Sequence, residues 1–177
     1  PSIQSNLKMD VIPSWDGDRK TAVNYVWSFF EIANSGGNLR QSVAHWAWLR
    51  FEKNSPVMLW FLTLSEGTKL YMKSDAYNFI DIIKQQYLGA QWMKDMAVDF
   101  QLQSFREPKH RHESPSSFIN RRILDARSLG FAVENTVEEV KLLLSVAPAD
   151  WDTKLVPSTI GSTNELKARV IQHERSL

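Results

Sequence analysis

Residues 112–131 read HESPSSFINRRILDARSLGF. Ser114-Pro115 pairs an N-cap residue with a proline at the first helical position, where a missing N–H costs nothing. Phe118, Ile119, Ile123, Ala126 and Leu129 then recur at the 3.6-residue period of one buried helix face. Gly130 follows, the residue type that most easily takes the left-handed turn at a helix end. The stretch therefore predicts an amphipathic helix that closes at Leu129.

The same punctuation extends in both directions. Downstream, Thr136-x-x-Glu139 forms a capping box that opens a helix to about Ser145, and Pro148 stops it. Ser162-x-x-Glu165 opens a final helix to about Arg175. Upstream, Trp92, Met93, Met96 and Phe100 mark a helix of roughly 91–104, and Ser74 is placed to cap one of roughly 75–87. Ser55-Pro56 starts a short, nearly all-apolar helix to about Leu64, a pattern expected to be buried on every side. Asn38 is placed to cap a helix of roughly 39–53, with Leu39, Val43, Trp46 and Leu49 or Arg50 on one side. Asp18 is placed to cap one of roughly 19–34 on Val23, Val26, Trp27, Phe30 and Ala33, ended by Gly36-Gly37. Residues 1–17 read as extended and turn-like. No alternating strand pattern persists. The expectation is an all-α fold of eight or nine short helices, with a hinge at Leu88–Ala90.

Composition narrows the function classes. The chain has 177 residues, 43% hydrophobic and 23% charged, which suits a globular protein rather than a disordered one. Lys+Arg number 21 and Asp+Glu 20, so bulk charge does not call for a polyanionic partner. The absence of cysteine excludes disulfides, thiol nucleophiles and thiolate zinc sites from this sequence. The longest apolar run, Val57–Leu62, is far short of the ~20 residues that span a bilayer. The start, PSIQSNLKMD, lacks the apolar centre of a signal peptide, and an intracellular protein is expected.

Enzymatic signatures are missing: no glycine-rich phosphate loop and no HExxH. His110 and His112 are flanked by Lys109 and Arg111, whose charge opposes a bound cation. No catalytic residue, metal or cofactor is expected. One local excess of positive charge lies within residues 106–127, where Lys109, Arg111, Arg121 and Arg122 are candidate nucleic-acid contacts or an ordinary solvated face. The chain carries 7 Trp, 4 Tyr and 9 Phe. Most of these fall on helical stripes and read as core. Trp15 and Trp151 fall outside the expected helices, where they either plug a seam or stay exposed for a partner.

Three groups of residues carry a family resemblance. Ile12-Pro13-Ser14-Trp15-Asp16-Gly17 precedes an aromatic-rich helix holding Trp27, Phe29 and Phe30. Pro56 to Phe61 supplies a small-x-x-x-Trp element around Trp60. Glu113, Phe118 and Arg121 repeat the Glu, aromatic and Arg spacing of a major homology region. In these features the chain resembles the capsid region of Gag proteins from long-terminal-repeat retrotransposons, chiefly the Ty3/gypsy type, and their domesticated descendants. The tail, from Val140 through Trp151 to Leu166, is similar to copia-type Gag. The sequence departs from the family where Lys109 stands in place of a Gln-Gly pair ahead of the Glu; Gln101 and Gln103 lie further upstream.

The resemblance implies a capsid N-lobe over residues 10–88 and a C-lobe over 90–177. It implies a structural protein rather than an enzyme, whose copies associate through both lobes into intracellular, cytoplasmic particles that enclose RNA; with no zinc knuckle in this stretch, RNA binding by the stretch itself is expected to be weak or absent. It places a C-lobe dimer contact on the helix after the major-homology-like one, with Glu138, Lys141, Leu142 and Ser145 at the surface and Val140, Leu143 and Leu144 in the core. Two alternatives stand beside it. One is a domesticated capsid fold that binds peptides in a groove lined by Trp15 or Trp151. The other is a weak nucleic-acid-binding helical domain acting through residues 106–127.

Overall fold

The computed structural model describes residues 8–177; the first seven residues of the expected extended segment lie outside them. Among the described residues the fold is all-α, with no strand, and no helix is long and apolar enough to cross a membrane. The chain divides into two compact units, one ending at Met93 and one running from Lys94 to Leu177.

The first unit holds α1 (Ala22–Ser35), α2 (Gly37–Trp46), α3 (Pro56–Leu62), α4 (Glu66–Ser74) and α5 (Ala76–Ile82). A π-helical turn, Ile83–Leu88, continues α5. Its core is a chain of aromatic rings. Trp15 stacks on Tyr25 with centroids 4.5 Å apart, Tyr25 meets Phe29 at 5.0 Å, and Phe29 stacks on Phe79 at 4.9 Å. Phe51 joins from the other side against Phe79 and Phe61.

The segment before α1 is a plug. Ile12 and Trp15 are buried, so of the two readings of Trp15 the exposed one is corrected and the seam plug stands. Its backbone pairs with the chain at Phe51: the Trp15 N–H donates to Arg50 O and the Glu52 N–H to Trp15 O. The indole Nε1 donates to Thr21 Oγ1 at 3.0 Å, so the ring is buried with its polar atom satisfied. Gly17 follows at φ +87°. A Cβ there would lie 2.5 Å from Tyr87 Oη and 2.9 Å from the Val57 backbone nitrogen. That tight fit lets the Tyr87 hydroxyl donate to Gly17 O at 2.8 Å.

Several boundaries shift for local reasons. Asp18 does not cap α1: its carboxylate accepts from the Lys20 N–H in a preceding turn, and the helix begins at Ala22. The buried face of α1 is Tyr25, Val26, Phe29, Phe30 and Ala33, so Val23 and Trp27 sit at its margin. On α2 the buried residues are Ser42, Val43 and Ala44, whereas Leu39 and Trp46 are exposed. Small side chains there allow close packing, which turns the larger ones outward. Ser55 caps α3 as expected, accepting from Met58 N. Yet α3 buries only Val57 and Phe61, and Leu59 and Leu62 remain 55% exposed. An unexpected helix, α4, starts at the Ser65 cap. Asp75, not Ser74, caps α5.

Helix α6 (Gly89–Gln101) leads into the second unit, which holds α7 (Pro115–Leu129), α8 (Val137–Leu144), α9 (Trp151–Leu155) and α10 (Thr163–Gln172). The caps of α7, α8 and α10 are those read from the sequence: Ser114 accepts from Ser117 N, Thr136 from Glu139 N, and Ser162 from Glu165 N. Gly130 closes α7 in the left-handed conformation. The core gathers Phe100, Phe118, Ile119, Ile123, Val140, Leu143 and Trp151 with the apolar face of α10. Trp151 is 1% exposed, so it too is no partner-facing ring. It starts α9 and meets Phe105 and Phe118 edge-on, at 5.1 and 5.8 Å.

Candidate functional site

Glu113, Phe118 and Arg121 form one contact set at the start of α7. Arg121 meets Glu113 through two hydrogen bonds, Nε to Oε2 at 2.7 Å and Nη2 to Oε1 at 3.0 Å. Its guanidinium carbon lies 5.0 Å from the centroid of the Phe118 ring. Helical spacing explains this: residues three apart share a face, so Arg121 rises directly above Phe118. Glu113 stands just before the N-cap, within reach of Arg121.

The set also fastens the loop upstream. Arg121 Nη1 pairs with Glu107 at 3.0 Å, and Nη2 donates to Ser104 O. Glu113 Oε1 accepts the Arg106 N–H at 2.8 Å, and its backbone oxygen accepts from Arg106 Nε. Arg106 takes φ +59°, a left-handed conformation uncommon outside glycine, held by these bonds. Burial pushes the Glu113 carboxyl up, but the Arg121 and Arg106 hydrogen bonds outweigh that, and its pKa lies below the ordinary value.

Arg122 points the other way and is fully buried. It donates to Phe100 O at 2.7 Å, Leu142 O at 2.8 Å, Leu143 O at 3.1 Å and Gln103 Oε1 at 3.1 Å. The first three are carbonyls in the last turns of α6 and α8, where helix dipoles favour a cation. The guanidinium also lies 3.7 Å from the Phe100 ring centroid. Burial above all, with the neighbouring Arg121 charge, lowers its pKa to about 10, yet it remains charged at neutral pH.

A third arginine, Arg127, pairs with the buried Glu139 at 2.9 Å. Glu139 also accepts from Asn135 N and Thr163 Oγ1, tying α7, α8 and α10 together. In the sequence Arg127 stands out only as part of the basic stretch 106–127, Glu139 only as a capping residue, and Thr163 not at all.

These contacts correct the nucleic-acid assignment. Arg122 cannot meet a phosphate because it is buried, and Arg121 is consumed by two carboxylates and a carbonyl. Lys109 and Arg111 are exposed. They belong to the same loop as Arg121's partners but are not part of its contact set.

The candidate dimer residues lie on α8 and at its C-cap, Ser145. Glu138, Lys141 and Ser145 are exposed, whereas Leu142 is half-buried against the core and its carbonyl holds Arg122. Leu144, expected in the core, is half-buried. It lines a groove of about 670 Å³ with Val137, Val140, Lys141, Pro157 and Ile160. Among the described residues, no cluster of three or more His, Asp or Glu side chains could hold a metal.

Compared with protein families, curated proteins and solved structures, the chain matches none. Its site is read from its own geometry.

Proposed function

We propose that this chain is a capsid domain of the retrotransposon Gag type, whose copies associate into a particle that encloses RNA. The observation that carries this reading is the closed contact set of Glu113, Phe118 and Arg121. The residues that resemble a major homology region touch one another and brace the loop ahead of α7. Support also comes from two small helical units, each with its own core. The exposed residues Glu138 and Lys141 on α8 and Ser145 at its C-cap offer a face for a two-fold contact, in which the same patch meets itself. In this reading the protein is structural, uses no cofactor and works inside the cell.

Light scattering and negative-stain microscopy over a range of protein and salt concentrations test the proposal. Dimers or larger closed assemblies are expected, and Lys141→Glu weakens them without lowering the melting temperature. A chain that stays strictly monomeric under every condition would overturn the reading.

A further inference from the structure

The loop joining α6 and α7 contains Arg106-Glu-Pro-Lys-His-Arg-His112. Its backbone is set by a 3₁₀ turn over Pro108–His110, with the His110 N–H donating to Glu107 O and the Glu113 N–H to His110 O. Both nearby carboxylates, Glu107 and Glu113, are turned onto Arg121. The Arg106 guanidinium is turned back as well, onto Glu113 O and the Phe105 ring. What remains on the outside is Lys109, His110, Arg111 and His112, all exposed. Among the described residues, neither Lys109 nor Arg111 has a carboxylate within ion-pair distance. Arg121 thus strips the loop of its negative charge and holds it in one shape.

We propose that Lys109 and Arg111, presented by this turn, contact the phosphate backbone of a nucleic acid. The chemistry of the loop favours that partner over a protein. Protein interfaces centre on apolar side chains, and Pro108 is the only non-polar residue between Arg106 and His112. The loop instead offers charge and hydrogen-bond donors, which read a phosphate backbone without regard to sequence. Because the turn is already formed, little ordering cost opposes binding. The inference does not depend on self-association, since each copy carries the complete turn.

Fluorescence anisotropy with labelled single-stranded RNA and DNA tests it, at protein concentrations where light scattering reports a single species. Two phosphate contacts give a salt slope of about −1.4, so affinity falls about sevenfold between roughly 50 mM and 200 mM salt. Lys109→Ala with Arg111→Ala removes that salt-dependent binding and leaves the melting temperature unchanged. Binding comparable to wild type in this double variant would overturn the proposal. So would no anisotropy change at the lowest salt, or displacement of RNA by polyglutamate as effective as displacement by unlabelled RNA.

Discussion

Arg121 and Glu113 are eight residues apart and joined by two hydrogen bonds, with the Glu113 side chain only 6% exposed. The pair closes the loop onto the first turns of α7, and its geometry is the parallel two-bond form that makes Arg–carboxylate contacts strong. Removing either partner leaves the other's charge poorly solvated. Arg121→Ala is therefore expected to cost about 2–4 kcal/mol, toward the buried end of ion-pair losses. Urea unfolding of the variant against wild type measures it.

The same pair makes stability depend on acid. The folded Glu113 carboxyl titrates below its ordinary value, burial raising it but the Arg121 and Arg106 hydrogen bonds lowering it more; Glu139 behaves alike. A depressed carboxyl contributes stability above its unfolded value of about 4.3, and that stability is lost as pH falls through the folded value. Glu113→Gln should flatten the fall in melting temperature below about pH 4.3. An acid profile parallel to wild type would contradict the assignment.

Arg122 is a buried cation solvated by carbonyls rather than by a carboxylate. Arg122→Ala strands the α6 and α8 carbonyls and opens a cavity beside Phe100, so a loss of about 3–5 kcal/mol is expected. Arg122→Lys should recover only part of it, because one ammonium lacks the planar fork that reaches both helix ends. Calorimetry on both variants separates lost charge from lost shape.

Two glycines should respond oppositely to alanine. Gly17→Ala meets a left-handed φ and the Val57 backbone at once, and destabilises by about 2 kcal/mol or more. Gly67 sits in α4 with open space around it, and Gly67→Ala should stabilise by about 0.5–1 kcal/mol. Denaturant midpoints of the two variants give the comparison.

The two tryptophans of uncertain exposure are now distinct from a third. Trp151→Ala should cost about 3–5 kcal/mol, since a buried ring leaves a large cavity. Trp46 is 43% exposed, and Trp46→Ala should change stability by less than about 1 kcal/mol. Equilibrium unfolding of each decides it.

The candidate site was partly legible. The spacing of Glu113, Phe118 and Arg121 was visible because all three fall within one short stretch at the start of α7. The roles of Glu107, Ser104 and Arg106 were not, because a loop's path depends on the side chains that hold it. Arg121 and Arg122 looked alike in sequence, two adjacent arginines in a basic stretch. On a helix, neighbours point about 100° apart, so one faces the loop and the other enters the core.

The sequence by itself determined where four of the helices begin. Ser55, Ser114, Thr136 and Ser162 each satisfy an N–H three residues on, so the cap is complete within the segment that encodes it. Even here Glu139 and Glu165 reach back beyond the cap, to Asn135 N and Gly161 N. Tertiary structure decided which faces are buried. Leu59 and Leu62 are exposed while the smaller Val43, Ala44 and Ala47 are covered, because burial follows the shape of the neighbouring helix as well as the hydropathy of the residue. It also decided which charges are spent inside and which stay exposed: Arg122 is buried, whereas Lys109 and Arg111 face outward. Arg122 finds its carbonyls about twenty residues away in either direction, a distance no local pattern encodes.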